Sequence, residues 1–385
     1  MVRRIFDPQA KVLANFDRVR TLLETSTANP ILVEVDPSNV CNHTCDFCLS
    51  SYVHAGKQML PEDVLLRLCD DLIRAEVRGI NWTGGGEPTV NPFLKKAIIR
   101  VGESSEVKMG MFTNGTLLDR FDLFEAVVEH FSWVRFSVDA GSPDTYNRIR
   151  RTRSDGDWDR MMANLTRLIE VNSHSPHPID IGVGFVITPS NICDVLDFAR
   201  LFQGMNVAYC QFKPEIVNLE RDEGIQRKVK FWNMAGGLLR EAHHILGDKF
   251  QLNEYKLDDL SADPEHFGRC YRKCLGSQLS PCVGADGEVY VCPNLRGRRE
   301  YSFGSIYERS FVDIWHDTAT RRAVMERIEE KEKFAFCTQL CKPHESNKVL
   351  WKLHEEYHSA VDKAAWLADK ESIGKITQVD HKSSI

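Results

Sequence analysis

The sequence predicts an α/β chain built on a parallel sheet, followed by a smaller cysteine-rich unit, and three observations carry that expectation. Short apolar runs alternate with amphipathic stretches from about residue 31 to residue 215. The rhythm changes after Glu215. Six of the twelve cysteines then fall between residues 270 and 341.

Taken in order, residues 31–35 read as the first strand, and residues 61–74 as a helix with Pro61 in its first turn. Residues 79–83, 107–112, 134–138, 181–187 and 206–213 read as five further strands. The helices between them are expected at 91–100, 119–130, 157–171 and 192–202. Six strands alternating with helices imply a parallel sheet with helices outside it. The period alone does not separate an open sheet from a curved partial barrel. In either, ligand chemistry gathers at the C-terminal ends of the strands. Beyond the sheet come a long helix over 224–246, a polar stretch over 253–265, and a hairpin turning at Asp286-Gly287. A last amphipathic helix is expected over 347–370, before a polar tail.

The 385 residues are 42% hydrophobic and 27% charged, ordinary for a globular protein with a sizeable core. A net charge of −6 and a pI near 6.1 argue against a nucleic-acid partner. No apolar run reaches the roughly 18 residues of a membrane span. The expectation is a cytoplasmic protein with no membrane partner. Thiols grouped in two sets in a reducing compartment then point to metal rather than to disulfides. Cys69, Cys193 and Cys210 stand apart in apolar surroundings.

Cys41, Cys45 and Cys48 lie on the loop leaving the first strand. Four thiolates would occupy every iron of a cubane, whereas three leave one iron open to another ligand. A zinc knuckle using His43, or unligated thiols, is the alternative; zinc sites usually pair two half-sites, and no second half is near.

The Cys-x3-Cys-x2-Cys spacing after a first βα strand, with Phe47 before the last cysteine, resembles the radical S-adenosylmethionine superfamily. Further stretches match in the family's order. Gly84-Gly85-Gly86-Glu87 follows the second strand, where the family has a Gly-Gly-Glu motif that receives the methionine amine. Asn114 ends the third strand and Ser137 and Asp139 end the fourth, at positions that resemble the family's ribose and carboxylate contacts. Arg150 resembles an arginine that pairs with the methionine carboxylate; a solvated charge run over 148–153 is the other reading. Val186 and Ile187 resemble apolar adenine contacts, and core packing accounts for them equally. The resemblance implies a partial (βα)6 TIM-like barrel and a [4Fe–4S] cluster whose open iron binds S-adenosylmethionine. It further implies reductive cleavage to a 5′-deoxyadenosyl radical, hydrogen abstraction from substrate, and a one-electron donor such as flavodoxin or ferredoxin.

The later cysteines resemble the SPASM/twitch branch of that superfamily. Cys274, Cys292, Cys337 and Cys341 are the set expected to hold one auxiliary [4Fe–4S] cluster, with zinc the chemical rival. Cys270 and Cys282 are spare, although Cys270 would serve in place of any of the four. The expected organisation is an N-terminal extension over 1–30, the barrel over 31–220, and a helical linker over 221–265. The auxiliary-cluster unit follows over 266–346, then a C-terminal helix and tail over 347–385.

An auxiliary cluster in this branch often collects the electron left after hydrogen abstraction, which suits net two-electron oxidation. Lys213 and Glu215, just past the sixth strand, are the candidate proton acceptors, a surface ion pair being the alternative. Some thirty residues precede the first strand, too few for the recognition domain that peptide-modifying members usually add. The substrate expected is therefore a small polar metabolite such as a sugar or aminocyclitol. Peptide modification or epimerisation with a separate recognition protein is the alternative. A non-catalytic iron–sulfur or zinc scaffold and RNA modification rank behind both.

Overall fold

Strand formation follows the sequence pattern closely, and the winding of the sheet decides between the two architectures left open. The computed structural model describes residues 8–215, 225–252, 270–329, 341 and 343–380. Seven strands succeed one another: β1 (Leu32–Val35), β2 (Gly79–Trp82), β3 (Lys108–Thr113), β4 (Phe131–Ser137), β5 (Asp180–Ile187), β6 (Tyr209–Pro214) and β7 (Phe250–Leu252). Each pairs in parallel with the next. Because neighbours in the chain are neighbours in the sheet, the winding never reverses, as in a βα barrel and unlike a doubly wound sheet.

The cysteine-rich unit continues this sheet. Strand β8 (Cys282–Val283) pairs in parallel with β1, matching Glu34 with Cys282 and Val35 with Val283. Its hairpin partner β9 (Glu288–Tyr290) and then β10 (Ser302–Ser305) complete a ten-stranded order β10-β9-β8-β1-β2-β3-β4-β5-β6-β7. Gly287 takes φ +81 at the hairpin tip, a conformation open to glycine. The hairpin thus covers the β1 edge, which would otherwise present unpaired backbone groups.

Alternation puts the two faces of each strand to different uses. One face carries Val33, Val35, Ile80, Trp82, Met109, Met111, Val134, Phe136, Ile181, Val183, Phe185 and Phe212, all buried beneath the outer helices. The other face lines a lumen with Glu34, Asn81, Phe112, Arg135, Tyr209 and Gln211. Two glycines make room there: a Cβ on Gly110 would meet the Trp133 ring at 2.1 Å, and one on Gly182 the Tyr209 ring at 2.1 Å.

Several expectations shift. Strand β7 falls in the stretch read as linker, where three residues after a long helix leave too short a pattern to register. The helix Pro143–Arg150 was hidden in what read as a basic run. The expected helix over 119–130 spans only Phe124–His130. The last helix is two, His344–Ser359 and Lys363–Asp380, separated where Ala360 is extended and Asp362 Oδ1 accepts from Ala365 N at 2.9 Å. Cys193 is exposed rather than set in apolar surroundings, whereas Cys69 and Cys210 are buried.

The N-terminal helices Pro8–Ala14 and Phe16–Thr25 pack on these last two helices in a second core, formed by Phe16, Val19, Leu22, Leu350, Leu353 and Leu367 among others. Lys11, Val12 and Asn15 reach the lumen from this side. Among the described residues, no helix is long and apolar enough to cross a membrane.

Overpacking a filled lumen costs about 1–3 kcal/mol. Gly110→Val is expected to lower the stability by that amount, read as a lower denaturant midpoint at unchanged m-value. An unaltered midpoint would show that Trp133 has room to move.

Candidate active site

The lumen opens at the C-terminal ends of β1–β6 into a cavity of ≈ 610 Å³. Cys41, Cys45, Cys48 and Phe47 all line it, as do Gly84, Gly86, Glu87, Asn114, Ser137, Asp139, Arg150, Val186 and Lys213. Thus residues widely separated in sequence, singled out from six successive strand ends, face one space.

The cysteine loop is held by the helix that the basic run concealed. Thr44 N and Asp46 N donate to the carbonyls of Arg150 (3.1 Å) and Ile149 (3.1 Å) at that helix's end. Arg150 itself is 4% exposed, so it is not part of a solvated charge run. Its Nη2 donates to Asp139 Oδ2, its Nε to Val138 O at 3.2 Å, and its Nη1 reaches Cys45 Sγ at 3.8 Å. Asp139, at φ +61, in turn accepts from Val186 N at 2.6 Å, while its carbonyl accepts from Asn191 Nδ2 at 2.8 Å.

Glu87 is a second knot. Its Oε1 accepts from Thr113 Oγ1 (2.6 Å), Thr89 Oγ1 (2.7 Å) and Thr89 N (3.2 Å), and its Oε2 from Asn114 N (2.7 Å). Burial raises its pKa while these donors oppose the rise. Four donors leave this carboxylate engaged in tying the β2 turn to the end of β3. Asn114 carries the tie onward, its Nδ2 donating to Asn42 Oδ1 of the cysteine loop at 2.8 Å.

The glycines are needed for a reason inside the protein. A Cβ on Gly85 would meet Asn39 Oδ1 at 2.0 Å, and one on Gly86 the Val40 carbonyl at 2.2 Å. The turn after β2 and the segment leading to Cys41 therefore lie backbone against backbone.

Three predicted positions fall elsewhere. Ile187 turns to the helix side and packs in the core, 2% exposed, because it neighbours Val186 on one strand and must face the opposite way. Gly85 lies behind the cavity wall, with its carbonyl accepting from His54 Nε2 at 2.5 Å. Glu215 is beyond the wall too, its N–H on Ile187 O at 3.3 Å.

Sequence reasoning missed Arg135, Gln211 and Arg296. The first two sit two residues before Ser137 and Lys213, one inward step deeper in the lumen, so alternation alone could have found them. Arg135 Nη1 donates to Gln211 Oε1, and its guanidinium lies 4.2 Å over the Phe112 ring. That bond fixes which end of the amide is oxygen. Gln211 Nε2, buried, has no hydrogen-bond partner. Arg296 approaches from the loop after Cys292, pairing with Asp36 Oδ2 at 3.2 Å and Glu34 Oε2 at 3.7 Å. It also donates to Gly84 O at 2.5 Å. No local pattern marked it.

The three thiols are half-buried donors set to hold an iron–sulfur cluster. Burial pushes Cys41 up to about 12, with Glu87 adding to the rise, and Cys45 up to about 11 against the pull of Arg150. Cys48 is raised by burial as well. Ligation of any metal centre must therefore displace these protons. Among the described residues no three His, Cys, Asp or Glu side chains converge on a point that would hold a single ion. His43 Nε2 is 3.2 Å from Asp157 Oδ2, and burial drops its pKa to about 3. The three cysteine sulfurs face one cavity, where three thiolates would hold a cubane with one iron left open.

In the second set, Cys274, Cys292 and Cys341 are buried, and Cys337 lies outside the described residues. Cys270 is exposed, and Cys282 is buried with its Sγ 3.9 Å from Asp36 Oδ2.

Comparison with known proteins agrees with this geometry. The radical SAM superfamily model matches residues 35–201, and the SPASM iron–sulfur cluster-binding domain matches residues 274–342. A Pyrococcus furiosus protein described as a tungsten-containing aldehyde ferredoxin oxidoreductase cofactor-modifying protein is 25% identical, over 77% of this chain and 83% of its own length. The sporulation killing factor maturation protein SkfB of Bacillus subtilis is 25% identical, over 74% of this chain and 64% of its own. The mycofactocin maturase MftC of Mycobacterium tuberculosis is 23% identical, over 77% of this chain and 73% of its own. In fold, the chain resembles Streptococcus suis SuiB bound to S-adenosylmethionine, with TM-score 0.59 and 14% identity over 80% and 71% of the two chains. Its two domains bring the cofactors with them, a [4Fe–4S] cluster with S-adenosylmethionine in the first and auxiliary iron–sulfur binding in the second. The chain belongs to the radical S-adenosylmethionine superfamily, in its SPASM-containing branch.

Proposed function

We propose that this enzyme modifies a peptide by hydrogen abstraction. The observation that carries the reading is the lumen layer formed by Arg135 and Gln211. A guanidinium carries donors only, and the one acceptor of the Gln211 amide is already used by Arg135, leaving the buried Nε2. That open donor suits a ligand that offers an acceptor, and a peptide carbonyl is such an acceptor. The relatives named for maturation, SkfB and MftC, support the same class. So does SuiB, a fold neighbour that has been seen bound to its precursor peptide SuiA.

The cofactor pair, when bound, supplies a 5′-deoxyadenosyl radical. The chain's own part is placement. Cys41, Cys45 and Cys48 would hold the cluster, and Glu87 and Arg150 fix the loops around it. Asn114, Ser137, Asp139 and Val186 would line the S-adenosylmethionine pocket, with Arg135 and Gln211 one step beneath. Cys274, Cys292, Cys337 and Cys341 would hold one auxiliary cluster. A second reading, net oxidation of a small polar metabolite, draws support from Lys213, which lines the same cavity where such a reaction needs a proton acceptor.

Short peptides translated beside the gene are the substrates to test, incubated anaerobically with the reduced holoenzyme and S-adenosylmethionine. The expected result is a peptide mass change with matching 5′-deoxyadenosine. Label transfer only from deuterated sugars or cyclitols would favour the second reading. Gln211→Leu is expected to raise the KM for the peptide about tenfold, the cost of about 1.4 kcal/mol for one lost hydrogen bond, at little change in kcat.

Two cubanes give about eight irons per chain. Replacing Cys41, Cys45 and Cys48 together by Ala should leave about four and abolish 5′-deoxyadenosine formation. Persistence of that product would falsify the cluster assignment.

A further inference from the structure

Asn347, on the helix His344–Ser359, is fully buried at 0% exposure. Its Oδ1 accepts from Gly276 N at 2.7 Å, and its Nδ2 is 3.3 Å from Cys274 Sγ. Because the backbone N–H of Gly276 can bond only to oxygen, the amide orientation is settled and its NH2 faces the sulfur. Gly276 allows the approach: a Cβ there would lie 3.3 Å from Asn347 Oδ1 and 3.2 Å from Pro343 Cβ. The sulfur otherwise sits in the apolar core. In that setting a single N–H donor has little competition.

We propose that Asn347 is a positioning residue for the auxiliary iron–sulfur cluster, and that its N–H donated to the Cys274 sulfur raises the cluster's reduction potential. The inference rests on Cys274 as a cluster ligand. One-electron reduction adds negative charge that spreads onto the sulfurs, and a hydrogen bond to a charged acceptor is stronger than one to a neutral acceptor. The donor therefore stabilises the reduced cluster more than the oxidised one, which is how hydrogen bonds to sulfur tune such centres.

The test is a potentiometric titration followed by electron paramagnetic resonance. It uses the full chain and the Cys41, Cys45, Cys48→Ala background, where the auxiliary signal stands alone. Asn347→Leu, close in size and uncharged, removes the donor. Asn347→Asp keeps the acceptor for Gly276 N and also removes the donor. Both are expected to retain the auxiliary irons and to lower the equilibrium constant for reduction about tenfold, about 59 mV for one electron. An unchanged midpoint in Asn347→Leu overturns the proposal, and so does a shift confined to Asn347→Asp, which charge alone would explain. Should Asn347→Leu lose the auxiliary irons, Asn347→Ser, too short to reach the sulfur, is read for the same two outcomes. Cys274→Ala separates the underlying reading: full iron retention there removes Cys274 as a ligand and the inference with it. Iron loss there with an unmoved midpoint in Asn347→Leu removes the inference alone.

Discussion

The buried ion pair between Arg150 and Asp139 is the constraint on which the rest of the site depends. Both side chains are almost wholly enclosed, 4% and 2% exposed. Removing one partner of such a pair strands a charge, at about 3–5 kcal/mol. What makes this pair central is what else its members hold. Arg150 reaches the Cys45 sulfur, and its own carbonyl anchors Thr44 of the same loop. Asp139 holds the end of β5 through Val186 N. The loop bearing three cysteines, the end of β4 and the end of β5 are thereby fixed against each other before any cofactor binds. A site that must receive a cluster and a small cofactor in one register needs that preorganisation.

The lumen shows a different economy. Its outward strand faces are packed with large apolar side chains, while its inward faces carry Glu34, Asn81, Arg135 and Gln211. Buried polar groups are tolerated where they satisfy one another or await a ligand. Glu87 illustrates the first condition, with four donors on its two oxygens. Gln211 illustrates the second, with one end engaged and the other open to the cavity. Trp133 and Tyr209, seated against Gly110 and Gly182, fill the layer below. Farther in, at the end covered by the N-terminal helices, burial lowers the Lys11 ammonium to about 8.

The parts of this design visible in sequence were those written in local patterns. Alternation and amphipathic periods gave six of the parallel strands, and cysteine spacing gave the loop after β1. What stayed hidden depended on tertiary partners. Arg150 could be counted as one of several arginines in a basic run, since only folding shows that Arg150 turns inward while Arg151 is exposed. Val186 and Ile187 were open to cofactor contact and core packing alike, and strand geometry divides them, Val186 to the cavity and Ile187 to the core. The glycines after β2 stand out in the sequence, but the atoms that approach them belong to Asn39 and Val40, which no local pattern shows. The union of the auxiliary unit with the barrel could not be read at all, because β8 is two residues long and pairs with a strand some 250 positions earlier.

That union has a physical consequence for how the two cysteine sets are held apart. Strand β1 is shared: one side pairs with β2 and the other with β8. Glu34 and Asp36, on and just after it, both face the Arg296 guanidinium, which enters from the loop following Cys292. The same guanidinium holds the Gly84 carbonyl, and the Arg296 carbonyl accepts from Tyr52 OH at 2.9 Å, four residues beyond Cys48. Burial raises Asp36 to about 6 even against the pull of Arg296, so this carboxylate is poorly hydrated and Arg296 is the cation that faces it. Any hinge between the barrel and the auxiliary unit would separate the Arg296 guanidinium from the buried Asp36 carboxylate, a larger loss than flexing an exposed loop entails. Backbone pairing along β1 and charge pairing at Arg296 oppose the same motion. The cysteine loop of the barrel and the Cys292 loop of the auxiliary unit therefore line a single cavity and are tied together across it by the Arg296 contacts.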